Sequence, residues 1–306
     1  MKIAILGAGA LGCYYGARLL ASHQDVSFIM RSDYEYVRDH GLQVSSIDGD
    51  LELPRVKVFR DTSTVGICDL VILTWKTTAN DQLASALPPL LGDNTIVLTL
   101  QNGMGNAEAL SAFLPQNRIY VGLCGVCAMR NTPGQISHLD GGNIQIAPFI
   151  PSPEGTTMAN KLAELFQQAK VPSKGFDFAE QIQWFKLVWN IPYNGLCLAY
   201  GGISVGELYK NPKNIVRVKK IMEDVVRAAQ ARGYTLPDTL IDFHLERTKV
   251  MKEFTPSSAV DYNKGRPIEY HAIWGDPLTK ARSAGANIPE WEKLDQEIRQ
   301  RIGLPD

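Results

Sequence analysis

Apolar and polar positions change their period along the chain. Residues 2–6, 26–30, 69–74 and 95–100 are short apolar runs followed within two residues by glycine, asparagine or a charged residue. Such runs predict strands buried on both faces. Residues 11–21 and 80–91, lying between them, carry helical spacing. Residues 119–147 read as several more strands, broken at Thr132-Pro133-Gly134 and at Asp140-Gly141-Gly142, and extend the sheet with antiparallel members. A loop over 148–155, a helix over 157–170 and a last short strand over 171–176 follow. From Ala179 onward the spacing is helical and strand signals fade. Asn211-Pro212 caps a helix ending at Gly233, Pro237 opens one reaching about Phe254, Pro267 precedes one ending near Gly285, and Pro289 starts the last.

The first of these junctions carries chemistry. Strand 2–6 runs into Gly7-Ala8-Gly9-Ala10-Leu11-Gly12, then a helix, then a second strand. That is the setting a G-x-G-x-x-G fingerprint needs if it is to bind a dinucleotide rather than make a chance turn. Gly7 permits the tight turn, Gly9 lets backbone approach a pyrophosphate, and Gly12 lets the helix pack on the strand. The helix N-terminus then offers unpaired N–H groups to the phosphates. At the end of the second strand, where an acid would receive a ribose 2′-hydroxyl, the chain carries Arg31-Ser32. A guanidinium there suits a 2′-phosphate and favours NADPH over NADH; against this, Asp33 is close by and Arg31 also reads as a solvated charge. Lys76 and Gln101-Asn102-Gly103 follow the next two strands, at the carboxyl ends where ligands of such sheets sit. Lys76 suits a phosphate or a substrate carboxylate. Asn102 suits cofactor or substrate, and Asn102-Gly103 serves equally as plain turn chemistry.

The helical half holds a second polar constellation. Lys186, Asn190 and Asn194 recur every four residues in a segment otherwise made of Trp184, Phe185, Leu187, Val188, Trp189 and Ile191. A helix turns through ~400° in four residues, which keeps the three within roughly 80° on one face. An amine and two amides suit a site that grips and protonates a small oxygen-rich molecule; the alternative is a solvated surface stripe. Pro192 removes one backbone bond from this helix and predicts a kink near Asn190. Ser257, in the hydroxyl-rich loop Thr255-Pro256-Ser257-Ser258, and Glu269 at the front of the Pro267 helix could join the site. Each has a commoner use, as an N-cap or as a first-turn partner of the helix dipole.

Length and composition narrow the function. At 306 residues two domains are expected, 1–178 and 179–306, with a cleft between them. A formal net charge of -1 argues against nucleic acid or an anionic membrane as the main partner. No apolar run is long enough to span a bilayer and no signal peptide is evident, so a cytoplasmic location is expected. Cys13, Cys68, Cys124, Cys127 and Cys197 are odd in number and mostly set in apolar runs, as reduced thiols would be. Cys124 and Cys127 have redox-motif spacing but read as structural, and the five histidines show no metal spacing, so no metal is expected. The fold class is α/β: a Rossmann-like dinucleotide-binding domain followed by an all-helical domain.

Taken together, the glycine fingerprint, Arg31, Lys76, Gln101-Asn102-Gly103, Lys186-x3-Asn190-x3-Asn194, Ser257-Ser258 and Glu269 resemble the ketopantoate reductase family, the 2-dehydropantoate 2-reductases, from Met1 to about Gly285. The resemblance implies NADPH-dependent reduction of 2-dehydropantoate to pantoate, a step toward pantothenate and coenzyme A. It implies that Lys186 is the general acid and that Glu269 holds the substrate hydroxyl, orients the lysine and belongs also to the cofactor site. Asn190, Asn194 and Ser257 then correspond to substrate-gripping positions, while Asn102 and Lys76 border the nicotinamide and phosphate sides. Trp189, Pro192-Tyr193 and residues 200–203 match no specific substrate-pocket pattern. Relatives also reduce other branched 2-keto acids, sometimes with NAD, so a D-2-hydroxyacid dehydrogenase is the alternative, with a non-catalytic NADP(H)-binding sensor as a reading from another class. A homodimer is compatible with the sequence, which leaves the oligomeric state open.

Overall fold

The computed structural model of the chain describes residues 1–305. The chain forms two compact units, one of residues 1–102 and 106–182, the other of residues 103–105 and 183–306.

The first unit opens with strand β1 (Lys2–Leu6), helix α1 (Ala10–Ala21) and strand β2 (Asp25–Ile29). Helix α2 (Tyr34–His40) and strands β3 (Leu42–Ser46), β4 (Leu51–Leu53) and β5 (Lys57–Phe59) follow, then β6 (Leu70–Leu73) and β7 (Ile96–Thr99). Residues 31–66 carried no predicted element. Their strands are short or alternate with charged residues, so no apolar run announces them. The single helix expected over 80–91 is instead a 3-10 turn (Thr77–Gln82), a one-turn α3 (Leu83–Ala86) and a second 3-10 turn (Pro88–Leu90). Pro88-Pro89 withholds the N–H groups that a regular helix would need.

After α4 (Asn106–Leu110), the segment expected to hold several strands is two long ones, β8 (Ile119–Thr132) and β9 (Gln135–Pro148), paired antiparallel. The break at Thr132-Pro133-Gly134 is a real hairpin turn. The second expected break is not: β9 continues through Gly141-Gly142, and the register shift there pairs Gly125 with Asn143 and Val126 with Gly141. Gly142 is the extra residue of a β-bulge, which glycine at φ +108° accommodates. Helix α5 (Pro153–Gln168) starts earlier than expected because Ser152 caps it, accepting from the Gly155 N–H, and β10 (Ser173–Gly175) closes the sheet.

The sheet order is β4-β3-β9-β8-β7-β6-β1-β2-β5, with β10 also on β9. β2, β1, β6 and β7 are parallel neighbours. Ile3 and Ile5 face a core with α1 and α5, while Ala4 and Leu6 face a core with Leu83, Leu87, Leu90 and Leu110. Both faces of β1 are thus covered, as its unbroken apolar run requires.

The second unit is helical. α6 (Ala179–Ala199) runs unbroken through Pro192. α7 (Val205–Tyr209), α8 (Pro212–Ala231), α9 (Leu240–Lys249) and α10 (Ser257–Asn263) follow, then a π-helical turn (His271–Gly275), α11 (Asp276–Ser283) and α12 (Pro289–Ile302). Asn211 caps α8 by accepting from the Lys213 N–H, 3.0 Å. The Pro237 helix is shorter than expected, starting at Leu240 and ending at Lys249. Val218, Ile221, Met222, Val225, Ala228 and Ala229 form the buried stripe of α8, packing with Trp184, Leu187 and Ile191 of α6 and Trp291, Leu294 and Ile298 of α12.

Gly195 sets how closely α6 meets its neighbours: a Cβ there would lie 2.7 Å from Leu294 Cδ2 and 3.1 Å from Trp274 Nε1. Overpacking at such a contact costs about 1–3 kcal/mol. Gly195→Ala is therefore expected to lower the urea midpoint of unfolding with no change in the slope of the transition. An unchanged midpoint would mean that this junction is loose.

Candidate active site

In the first unit, the glycine turn has the geometry that a dinucleotide requires. Gly7 adopts φ +87°, and a Cβ on it would lie 2.7 Å from the Trp75 backbone N. On Gly12, a Cβ would collide with Thr74 Oγ1 and lie 2.8 Å from Ile5 Cγ2. Gly9 is different, since its nearest such neighbour is the Gly7 carbonyl at 3.9 Å, which leaves that face of the turn open.

Gly9 stands at the N-cap of α1 and offers no side-chain acceptor, and the first turn holds no acidic residue. The first helical bond is Cys13 N–H to Gly9 O, 2.8 Å. The N–H groups of Ala10, Leu11 and Gly12 therefore have no acceptor within the helix. Ser152 on α5, Ser204 on α7 and Asn211 on α8 satisfy donors of their helices with their own side chains, whereas α1 has no such cap. An uncapped N-terminus beside an open glycine fits a pyrophosphate. Gly7, Ala8, Gly9, Ala10, Leu11 and Gly12 are the residues that could hold such phosphates.

At the end of β2, Arg31 and Ser32 are exposed and Asp33 is buried. The Asp33 carboxylate accepts from Ser32 Oγ at 3.0 Å, from Arg130 Nη1 at 2.7 Å and from the Gly134 N–H at 3.3 Å. Arg130 also donates to Ser32 Oγ, 2.7 Å. Sequence reasoning missed Arg130, since it lies 97 residues from Asp33 and no local motif marks it. The charge pair is felt at the fingerprint: burial, followed by the Asp33 carboxylate, pushes the Cys13 thiol up to about 12. That thiol stays protonated at neutral pH. Cys127 is likewise pushed up by burial and Asp140, and Cys124 is buried.

Lys76 and Asn102 sit where predicted, after β6 and β7, and an amide network fixes the backbone around them. Gln101 Nε2 donates to Trp75 O at 3.1 Å and to Asn80 Oδ1 at 2.8 Å, and Trp75 Nε1 donates to the same Asn80 oxygen at 3.0 Å. Asn80 Nδ2 reaches Asn106 Oδ1 at 3.3 Å, and Asn106 Nδ2 holds the Asn102 carbonyl at 3.0 Å. Lys76 is exposed and Asn102 half-buried.

In the second unit, Gly103 takes φ +79° and its carbonyl accepts from Gln183 Nε2 at 2.9 Å, while Met104 N–H donates to Ala272 O at 2.9 Å. The Asn102-Gly103 step is thus turn chemistry at Gly103, which also allows close approach to Ala272.

Lys186, Asn190 and Asn194 lie along α6 as the spacing predicts. Lys186 is half-buried, and Asn190 and Asn194 are 6% and 3% exposed. A solvated surface stripe does not bury two carboxamides, so that alternative falls. Asn194 Oδ1 accepts from the Ser258 N–H at 3.1 Å and lies 3.4 Å from Ser257 Oγ. Ser257 is not in a loop as expected; it begins α10 and is exposed, and neither serine is the N-cap. Pro256 holds that position and has no side-chain acceptor, so Asn194 does the capping from another helix.

Glu269 is 7% exposed and stands one residue before Tyr270, the N-cap of the π-helical turn. That turn is tied down on two sides. Trp274 Nε1 donates to Ile191 O on α6 at 3.1 Å, and Tyr270 Oη donates to Asp295 Oδ1 at 2.6 Å. Asp295 in turn accepts from Arg299 Nε at 2.9 Å. Among the described residues no group of three or more His, Cys, Asp or Glu could hold a metal, and no helix is long and apolar enough to cross a membrane.

Comparison with known proteins converges on one family. The family model described as "Ketopantoate reductase PanE/ApbA" matches residues 3–151, and "Ketopantoate reductase PanE/ApbA C terminal" matches 179–301. A 2-dehydropantoate 2-reductase of Nostoc sp. is 37% identical over 97% of this chain and 94% of its own. The crystal structure of 2-dehydropantoate 2-reductase from Geobacter metallireducens is 40% identical, covers 98% of this chain and 99% of its own, and superposes with a TM-score of 0.94. A ternary structure of D-mandelate dehydrogenase with NADH and anilino(oxo)acetate is more distant, at 25% identity and a TM-score of 0.87 over 98% of each chain. The chain belongs to the ketopantoate reductase family and is an NADP-dependent oxidoreductase, with a Rossmann-type sheet unit followed by a helical unit.

Proposed function

We propose that the chain reduces 2-dehydropantoate to pantoate with NADPH, in the cytoplasm and on the route to pantothenate and coenzyme A, with Lys186 as the proton donor. The observation that carries this reading is the polar face of α6, where an amine and two buried carboxamides stand in an otherwise apolar helix. The names of the Nostoc and Geobacter relatives support the substrate. A homodimer is proposed for the assembly.

When bound, the reduced nicotinamide supplies a hydride to C2 of the keto acid. As the C2–oxygen π bond breaks, its electron pair moves onto oxygen. Lys186 both stabilises that developing charge and gives the oxygen its proton. The neutral amine then regains a proton from solvent, so one hydride and one proton account for the new C–H and O–H bonds. Glu269 accepts from the substrate hydroxyl and from Lys186, which orients the ammonium.

Asn190, Asn194 and Ser257 hold the substrate. Because Asn194 Oδ1 already accepts from Ser258, its contribution to substrate is its NH2 group. Asn102 and Lys76 border the nicotinamide and the phosphates, and Arg31 pairs with the 2′-phosphate. A second reading, a D-2-hydroxyacid dehydrogenase acting on other branched 2-keto acids, is favoured by the D-mandelate dehydrogenase match.

Initial rates across a panel of keto acids with each cofactor separate these readings. 2-Dehydropantoate with NADPH is expected to give the highest kcat/KM; a preference for an aryl or unhydroxylated keto acid with NADH would transfer the chain to the second reading. Lys186→Ala is expected to cut kcat by about 10²–10⁴-fold while NADPH still binds. Turnover at the parent rate would remove Lys186 as the acid, and absence of turnover in both proteins would leave a non-catalytic NADP(H) sensor. Arg31→Ala should weaken NADPH more than NADH, by about 1.5–3 kcal/mol for a lost hydrogen bond to a charged group. Equal weakening of both cofactors would contradict the 2′-phosphate role.

A further inference from the structure

We propose that Arg130 is a determinant of cofactor choice: it clamps the Asp33 carboxylate at the end of β2 and contributes positive charge to the seat of the 2′-phosphate. The inference rests on the NADPH reading of Arg31. It concerns a residue far along the chain from the fingerprint, on the β8–β9 hairpin.

The end of β2 is ambiguous by itself. Some twenty residues beyond the glycine fingerprint, an acid would receive the ribose 2′-hydroxyl of NADH and an arginine would accommodate the 2′-phosphate of NADPH. This chain places both there, Arg31 and Asp33, two residues apart. An available Asp33 carboxylate would repel a 2′-phosphate and welcome a hydroxyl.

The hairpin resolves the ambiguity. Arg130 Nη1 stands 2.7 Å from both Asp33 Oδ1 and Ser32 Oγ, and Ser32 Oγ donates to the same carboxylate oxygen at 3.0 Å. The other oxygen, Oδ2, accepts from the Gly134 N–H in the hairpin turn at 3.3 Å. Both oxygens of the acid are therefore engaged by the protein. The Asp33 side chain is 7% exposed whereas that of Arg130 is 40% exposed. The acid is covered and the cation that covers it is not.

Only Nη1 takes part in these bonds, so Nε and Nη2 remain as donors on a planar guanidinium that is 40% exposed, the group best shaped for phosphate oxygens. A register shift pairs Arg130 with Ile136 and Thr132 with Gln135, leaving Asn131 as the extra residue of a bulge immediately after Arg130. Gly134, at φ +71°, is also required, since a Cβ there would lie 2.7 Å from the Tyr36 ring and 3.1 Å from Gly41 O.

The test is equilibrium binding of NADPH, NADH and adenosine 2′,5′-bisphosphate, followed by quenching of tryptophan fluorescence, for the parent, Arg130→Ala, Arg130→Gln and Arg130→Ala/Asp33→Asn. Arg130→Ala is expected to reduce the ratio of NADPH to NADH affinity at least tenfold and to weaken the bisphosphate in parallel. The double variant should recover part of the NADPH loss, because the released carboxylate is no longer charged. Arg130→Gln retains a neutral NH2 donor toward Ser32 and Asp33, and it should support the hairpin while still losing NADPH preference. If the parent prefers NADPH but Arg130→Ala and Arg130→Gln leave the ratio unchanged, or weaken both cofactors equally, the Arg130 proposal is overturned and the Arg31 reading stands. If the parent itself binds NADH as tightly as NADPH, both readings fall together.

Discussion

The close approach of α1 to β1 is the constraint on which the cofactor half depends. A Cβ on Gly12 would strike Thr74 Oγ1 and Ile5, and one on Gly16 would lie 3.0 Å from Ile5 Cγ1 and 3.0 Å from Phe28 Cζ. With glycine at both positions the helix lies directly on β1 and β2. Its first turn is then held at the carboxyl end of β1, where Gly7 reverses the chain. The pose of the helix, more than any side chain, fixes where the unpaired N–H groups of residues 10–12 point. An uncapped helix end would ordinarily be a liability, since its donors go unsatisfied within the protein. α5 and α8 avoid it with Ser152 and Asn211, and in α12 the Trp291 N–H donates to Asp224 Oδ2 at 2.9 Å. At α1 the missing cap coincides with a glycine turn that is open at Gly9, and the two together suit an anion.

A complementary constraint governs the second unit. Buried carboxamides are costly unless they are hydrogen-bonded, and an apolar helix gains nothing from carrying them. Asn194 is held by using its carbonyl as the missing cap of α10, which pins Ser257 beside it. The backbone after Glu269 is similarly over-determined, with Trp274 bonded to α6 and Tyr270 to the Asp295–Arg299 pair. A π-helical turn is rare and costs regular hydrogen bonding, and it occurs mostly at functional sites. Here it begins two residues after Glu269, the acid that the family resemblance put forward. Stability and site are therefore not separate features in this unit: the bonds that satisfy its buried polar groups also set the orientation of the residues proposed to act.

Much of this was legible in the sequence, and what was legible had a local cause. The glycine fingerprint, the buried strands and the four-residue polar spacing of α6 each follow from contacts within a few turns or residues, so periodicity and turn chemistry reveal them. Features decided by distant partners were not visible. Residues 31–66 fold into α2 and three short strands whose alternation is too brief to stand out, and β3 gains its place through pairing with β9. The Gly141-Gly142 step reads as a chain break, yet a long antiparallel partner absorbs it as a bulge. Ser257 reads as a cap or a loop hydroxyl, and only the folded chain brings Asn194 to it. The helix starting after Pro267 was evident, but its π register depends on packing against α6 and α12, which no window of sequence contains.

The same distinction bears on the tripeptide at the end of β2. Arg31-Ser32-Asp33 contains a cation, a hydroxyl and an acid, and by composition it serves a hydroxyl or a phosphate equally well. Electrostatic choice between the two cofactors depends on the charge a ligand meets, not on the charge the local sequence writes down. With Arg130 against Asp33, the acid's field is offset at its source and its acceptor oxygens are occupied, while Arg31 stays exposed to solvent. Without such a partner, the identical tripeptide would present an acid beside an arginine, with little net preference. On the Arg130 proposal, cofactor type is a property of a tertiary contact between Asp33, just after β2, and a hairpin far along the sequence, and inspection of the residues after the second strand alone leaves it undetermined.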